Sequence, residues 1–237
     1  MFPSCYINNN QQGILIMWIT ESIKKGQGLK DSFNVNGVDV YIKDKLPDHV
    51  DPDFVFKYIN ARVPFHLTAG IDIIYIGQFP EMKKRDLSAY YEDGAIYVTN
   101  DQDEEMDMID DIIHELAHAV ERNNEELIYG TGTLQNEFLA KRKNLSMRLD
   151  DMYEVPLDFT INMDYDENID MFLYQTVGYD VLNQLATNIF ISGYAATSLN
   201  EYFARGFEEY FIGDKDTLKQ LSPVLYRIID ELVHLED

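Results

Sequence analysis

Hydrophobic and polar positions divide the chain into a first half with short β-like runs and a second half with long helical patterns. Short apolar runs bounded by Gly, Asn and Asp predict strands at Ile14–Ile19, Val35–Ile42, Ile71–Ile76 and Ala95–Thr99, the last entered through an Asp93-Gly94 turn. Helical spacing predicts one helix after Asp51 and another from the acidic patch Asp101–Glu105 to Asn123, followed by Leu134–Leu149, Ile169–Phe190, Leu199–Phe211 and Thr217–Leu235. Strands followed by helices favour the α+β class.

One predicted helix carries an H-E-x-x-H motif beside an apolar stripe made of Ile109, Ile112, Ile113, Leu116, Ala117 and Val120. His114 and His118 are four residues apart, so they share a helix face and can bind one Zn²⁺ together. Glu115 is rotated from His114 by about 100°. It can therefore accept a proton from zinc-bound water and pass it to the leaving amine. Asp111 lies near the histidine face, where it either orients an imidazole or lies in solvent, and we favour solvent.

Two downstream glutamates compete to be the third metal ligand. The single cysteine, Cys5, cannot build a cysteine-rich zinc site, and no third histidine follows closely. Glu137 comes after His118 with eighteen residues between them, a spacing similar to that of the gluzincin aminopeptidases. Glu201 lies much further along. Each glutamate also fits an ordinary i,i+4 ion pair, so the residues alone leave both open.

The surroundings of Glu201 resemble the C-terminal catalytic domain of anthrax lethal factor and its relatives, which include the Pro-Pro endopeptidases. Residues 193–207 read G-Y-A-A-T-S-L-N-E-Y-F-A-R-G-F. Tyr194 precedes Glu201 by seven residues, and Glu201 begins an E-aromatic-aromatic-A helix, as in that family. The H-E-L-A-H-A-V segment and the closing amphipathic helix extend the resemblance over roughly residues 90–235.

The resemblance implies a site and a reaction. It makes His114, His118 and Glu201 the ligands of one Zn²⁺ per chain. It gives Tyr194 the stabilisation of the oxyanion that forms when water attacks the peptide carbonyl. It also implies that strand Ala95–Thr99 lies along the edge of the cleft and pairs with an extended substrate.

The resemblance further implies a single zincin-like, gluzincin catalytic domain over residues 1–237. A lobe of residues 1–123 would hold the sheet and the H-E-x-x-H helix, and a helical lobe would follow at 124–237. The family separates its second histidine from its glutamate by a few dozen residues. The longer interval here marks residues 124–190 as an insertion.

The predicted function is therefore that of a zinc metalloendopeptidase, which hydrolyses peptide bonds with zinc-bound water activated by Glu115. One alternative is an aminopeptidase-like gluzincin with Glu137 as third ligand, although no G-x-M-E-N stretch precedes the zinc helix to bind a free amine. Another alternative is a binding protein that keeps the zincin scaffold without turnover.

Charge and composition limit the classes of partner and the cellular location that the sequence predicts. The net charge of −23 repels phosphates, which argues against nucleic acid. The same charge either attracts a basic protein or peptide substrate or serves only to keep the protein soluble, and both interpretations stay open. No stretch is long enough to span a membrane. The N-terminus lacks the pattern of a signal peptide, and one cysteine suits a reducing compartment. We therefore predict a cytoplasmic location, with release that needs no signal peptide left open.

Overall fold

The structure, a computed structural model, describes residues 31–35 and 37–235. The predicted strand Ile14–Ile19 lies outside the described residues. The chain divides into two compact units, Met1–Ala119 and Val120–Asp237. Strands occur in the first unit, and helices make up most of the second, so the predicted α+β class is confirmed.

The described strands of the first unit form one mixed sheet in the order β1-β2-β3-β5-β4. Their bounds are Asp31–Val35, Val38–Ile42, Ile73–Ile76, Ala89–Glu92 and Ala95–Val98 in chain order. The three inner strands run parallel, and β1 and β4 are each antiparallel to their neighbour. The run predicted as one strand at Val35–Ile42 is divided between two strands. Val35 ends β1 and Val38–Ile42 is β2, and the chain turns between them at Gly37, whose φ of 86° glycine adopts readily.

Strand β5, which precedes the H-E-x-x-H helix, lies inside the sheet. It pairs with β3 on one side and with β4 on the other. The expectation that this strand forms the edge of a cleft is therefore wrong. Among the described strands, that edge belongs to β4, which the sequence patterns did not predict and which reaches β5 through the predicted Asp93-Gly94 turn.

Among the described residues, three helices belong wholly or partly to the first unit: α1 at Pro52–Asn60, α2 at Pro80–Arg85 and α3 at Glu105–Asn123. Asp51 caps α1 as predicted, accepting a hydrogen bond from the backbone N–H of Asp53 at 3.0 Å. Helix α2 was not predicted. All six residues of the apolar stripe on α3 are buried. Ile112 and Leu116 line a small apolar cavity with residues of α1 and of the sheet.

The second unit consists of the end of α3 and of helices α4 to α10. These span Glu125–Tyr129, Thr133–Leu149, Glu167–Met171, Tyr179–Ala186, Leu199–Phe211, Lys215–Leu221 and Pro223–Val233. Helices α5 and α8 match the predictions at Leu134–Leu149 and Leu199–Phe211. Within the part of the chain that the structure describes, no helix combines the length and the apolar character that a membrane crossing requires.

Two predicted long helices are interrupted. The Ile169–Phe190 segment becomes α6, a π-helix at Phe172–Val177 and α7, with a break at Gly178, whose φ is 80°. The Thr217–Leu235 segment breaks at Pro223, which has no N–H to continue the helix and disfavours helical backbone at the residue before it.

Helices α8 and α10 cross closely at Gly206, and we expect Gly206→Ala to destabilise the protein. A Cβ at this position would lie 2.2 Å from Leu225 Cδ2. Overpacking of this kind costs about 1–3 kcal/mol, whereas Gly→Ala in an uncrowded helix stabilises by about 0.5–1 kcal/mol. Denaturant unfolding shows whether the free energy of unfolding of the variant falls or rises. A rise would contradict the close contact between α8 and α10 at Gly206. The exposed residue Asn144 on α5 provides a control, since Asn144→Ala should change stability by less than about 1 kcal/mol.

Candidate metal centre

The two histidines of α3 have the separation of a metal-chelating pair. Their Nε2 atoms are 3.3 Å apart, and the rings meet nearly edge to face with an interplanar angle of 79°. Two nitrogens that each lie about 2.0–2.1 Å from one tetrahedral zinc ion are about 3.3–3.4 Å apart. A single N–H···N hydrogen bond between neutral rings has a similar length, so the pair suits either state.

Between Met108 and Glu121, every residue of α3 except Asp110 and the two histidines is buried, which fixes the direction of the histidines. Both His114 and His118 are half-buried, while their neighbours Ile113, Leu116 and Ala117 have exposed fractions of 3% or less. Glu115 is also buried, with 4% of its surface exposed. The helix therefore presents two imidazoles and holds the candidate base one residue away from the first of them.

Glu201 lies at the start of α8 and is buried, with 1% of its surface exposed. Ser198 caps this helix, and its Oγ accepts a hydrogen bond from the Glu201 N–H at 3.2 Å. His114, His118 and Glu201 each offer one ligand atom, and these three atoms lie within 4.8 Å of one another. Two imidazoles and one carboxylate are a donor set of zinc peptidases, so these residues fit that ion.

A hydrogen bond that the sequence patterns did not indicate joins the last turn of α3 to the start of α8. Asn200 Nδ2 donates to Glu121 Oε1 at 2.5 Å, and the hydroxyl of Tyr129 donates to the same oxygen. Glu121 follows His118 by one helical turn, and Asn200 immediately precedes Glu201. Neither residue stands out in the sequence, because both belong to types that are common on helix surfaces.

Glu137, the competing candidate ligand, accepts hydrogen bonds from the N-terminus of α10. From α5 it accepts hydrogen bonds from the backbone N–H groups of Val224 and Leu225 at 2.9 and 3.1 Å, and from the Tyr202 hydroxyl at 2.9 Å. Free N–H groups and the helix dipole favour a carboxylate at this end of α10. Both oxygens of Glu137 are thus engaged, and the histidines group with Glu201 instead.

Tyr194 lies on a single 3₁₀ turn, Tyr194–Ala196, immediately before the residues that cap α8. Its ring is half-buried and packs against Tyr179 at a centroid distance of 6.1 Å. The seven-residue interval therefore places Tyr194 on the segment that leads into the helix of Glu201. Its part in stabilising an oxyanion stays a prediction.

Asp111 is buried, so the expectation that it lies in solvent is wrong. Its carboxylate accepts hydrogen bonds from Ser88 Oγ at 2.8 Å and from Gln102 Nε2 at 3.0 Å. Burial raises the pKa of Asp111 to about 6, although both hydrogen bonds act in the opposite direction.

Asp111→Asn should reveal this pKa shift in the pH dependence of stability. The folded protein holds the Asp111 proton more tightly than the unfolded chain, whose pKa is 3.8, so this carboxyl costs stability as pH rises from about 4 to about 6. The stability of the variant relative to the native protein should therefore grow by about 1 kcal/mol between about pH 5 and about pH 7.5. Urea unfolding at the two pH values measures the difference, and an equal difference at both would rule out the raised pKa.

Comparisons with protein-family models, curated proteins and solved structures gave no match to this chain. The resemblance to the lethal factor group therefore stays a prediction carried by the motif residues, and the class of protein is inferred from the site.

Proposed function

We propose that this chain is a zinc-dependent endopeptidase with a zincin-like fold. The observation that carries the proposal is the group of His114, His118 and Glu201, whose candidate ligand atoms lie within 4.8 Å of one another. The 3.3 Å separation of the two Nε2 atoms supports it, because one tetrahedral ion requires about that spacing.

The residues around the ligands have complementary roles in this reaction. Zinc, when bound, polarises the substrate carbonyl and makes water a better nucleophile near neutral pH. Glu115 accepts the proton of the attacking water and then transfers it to the leaving amine, a role that typically contributes about 10²–10⁴ in rate. Tyr194 donates a hydrogen bond to the developing oxyanion, where a placed donor contributes about 3–4 kcal/mol.

The proposed substrate is a basic protein or peptide. The net charge of −23 attracts cationic chains and raises their rate of encounter. An extended peptide can add to a sheet through backbone groups at its edge. Because β5 is paired on both sides, that role falls to an edge strand, and β4 is the described edge strand that lies beside β5.

The aminopeptidase alternative has less support. It requires Glu137 as a metal ligand, and both oxygens of that carboxylate accept hydrogen bonds from the start of α10 or from Tyr202. Recruiting Glu137 to a metal would leave those N–H groups without their acceptor, which costs about 1–3 kcal/mol for each buried group.

Zinc content tests the ligand assignment. We expect one zinc ion per native chain after dialysis, and loss of that ion in Glu201→Gln, because a lost ligand should weaken binding beyond the 10–100-fold effect of outer groups. Glu137→Gln should keep its zinc and lose stability instead. Elemental analysis of the three proteins provides the measurement.

Two results would count against the assignment. A native chain without metal would contradict the proposed function itself. Loss of zinc from Glu137→Gln, with retention in Glu201→Gln, would move the third ligand to α5 and remove the support for the role of Tyr194.

Glu115→Gln tests the mechanism. The amide cannot accept the proton of the attacking water, so cleavage should fall by about 10²–10⁴ while zinc content stays unchanged. The assay uses a library of basic peptides blocked at both ends, which an endopeptidase cuts and an aminopeptidase does not.

Glu126→Gln provides the matched control, because Glu126 is an exposed residue of α4 and its change makes the same difference in charge. It should cleave at the native rate. If Glu115→Gln also cleaves at the native rate, Glu115 is not the base. If the native, zinc-loaded protein cleaves nothing, a binding function on the same scaffold gains support.

A further inference from the structure

Arg142 of α5 is completely buried and is surrounded by backbone carbonyl groups. Its Nε donates to the carbonyl of Ala196 at 2.8 Å, and its Nη2 donates to that of Thr197 at 2.5 Å. Its Nη1 donates to the carbonyls of Phe159 and Asn162 at 3.1 and 2.5 Å. One guanidinium thus joins α5 to two separate segments of the second unit.

Two aromatic rings complete the surroundings of this cation. The guanidinium lies 4.7 Å from the ring centre of Phe138 and 4.8 Å from that of Phe159, a distance at which ring faces stabilise a cation. Burial lowers the pKa of Arg142 to about 9, so the group keeps its charge at neutral pH. Only a guanidinium has five N–H donors in a fixed plane, which suits four carbonyls in different directions.

Two of the carbonyls that accept hydrogen bonds from Arg142 lie a few residues before Glu201, the candidate metal ligand. Ala196 and Thr197 are the two residues before Ser198, and the Ser198 hydroxyl accepts the N–H of Glu201. The segment that contains Phe159 and Asn162 also contacts the start of α8, because the N–H of Leu199 donates to the carbonyl of Met163 at 2.8 Å. Arg142 therefore holds the start of α8 from two sides.

We propose that Arg142 is a positioning residue for the third metal ligand, an inference that rests on the proposed function. It fixes the carbonyls of Ala196 and Thr197, and through the Ser198 cap it fixes the direction of Glu201 before any ion binds. A ligand held in place in advance loses less conformational freedom on binding, which strengthens binding without adding a contact to the ion.

The preceding residue offers a matched control. Lys141 is also a buried cation of α5, with 8% of its surface exposed. It too donates to backbone carbonyls, those of Ile189 at 2.5 Å and Leu221 at 2.7 Å. Neither carbonyl belongs to the segment between Tyr194 and Glu201. Lys141 also lies 5.8 Å from the ring centre of Tyr202. A change at Lys141 removes a similar anchor from the same helix and leaves the hydrogen bonds from Arg142 to Ala196 and Thr197 in place.

The first experiment compares zinc affinity in the native chain, Arg142→Lys and Lys141→Met. Competition with a chelator is measured at a temperature where circular dichroism shows all three proteins folded. Arg142→Lys should bind zinc about 10–100-fold more weakly, the range for groups that orient ligands, and Lys141→Met should stay within about threefold of native. With saturating zinc, Arg142→Lys should lower kcat on a blocked basic peptide and leave KM within about twofold.

The results separate this inference from the proposed function. If the native chain binds no zinc, the proposed function fails and this inference fails with it. If the native chain binds zinc and the two variants lose affinity equally, Arg142 is a general anchor of α5; the positioning role is then wrong and the proposed function stands.

A second experiment uses the native chain alone and covers the case in which Arg142→Lys does not fold. Amide hydrogen exchange of Glu201 is measured with and without zinc, relative to the amide of Leu145 in the buried face of α5. If Arg142 positions the segment in advance, zinc should change the relative protection of Glu201 by less than tenfold. A change of tenfold or more would mean that the ion orders the segment, which would overturn the inference.

Discussion

The structure depends on one helix that has to be buried on almost every side and still present two imidazoles. The apolar stripe of α3 packs in the interior, and its charged residues Asp111 and Glu121 are also buried, each with its own hydrogen-bond donors. This burial removes rotational freedom from the helix, so the face that carries His114 and His118 has one direction. A surface helix with the same two histidines would have no such constraint.

Polar groups at helix starts hold the second unit together. Ser198 caps α8, Glu137 accepts the first N–H groups of α10, and Arg142 binds the carbonyls just before α8. Ser198 and Glu137 accept N–H groups that a helix N-terminus leaves without partners, and Arg142 fixes the segment that leads into α8. Elsewhere in this unit the contact is apolar, as at Gly206, where the side chain of Leu225 leaves no room for a Cβ.

The sequence alone predicted the α+β class and the bounds of α3 and α5, because these follow from periodicity within short segments. The choice of Glu201 as a candidate ligand came from the resemblance to the lethal factor group, and it stays a prediction. The sequence did not predict β4 or the inner position of β5, since strand order depends on contacts between segments. Nor did it reveal the role of Glu137, which has the same i,i+4 pattern as a surface residue. Glycine and proline are residue types that indicate helix breaks. The breaks at Gly178 and Pro223 were nevertheless not predicted, because the apolar pattern continues across both positions.

Arg142 also bears on the history of the segment that the resemblance marks as an insertion, residues 124–190. Three participants in the guanidinium network, Arg142 itself and the carbonyls of Phe159 and Asn162, come from that segment. A shorter homologue without it would leave the carbonyls of Ala196 and Thr197 without their donor. Gain or loss of the segment in evolution therefore requires another donor for these two backbone carbonyls, whichever side chains stand at residues 196 and 197.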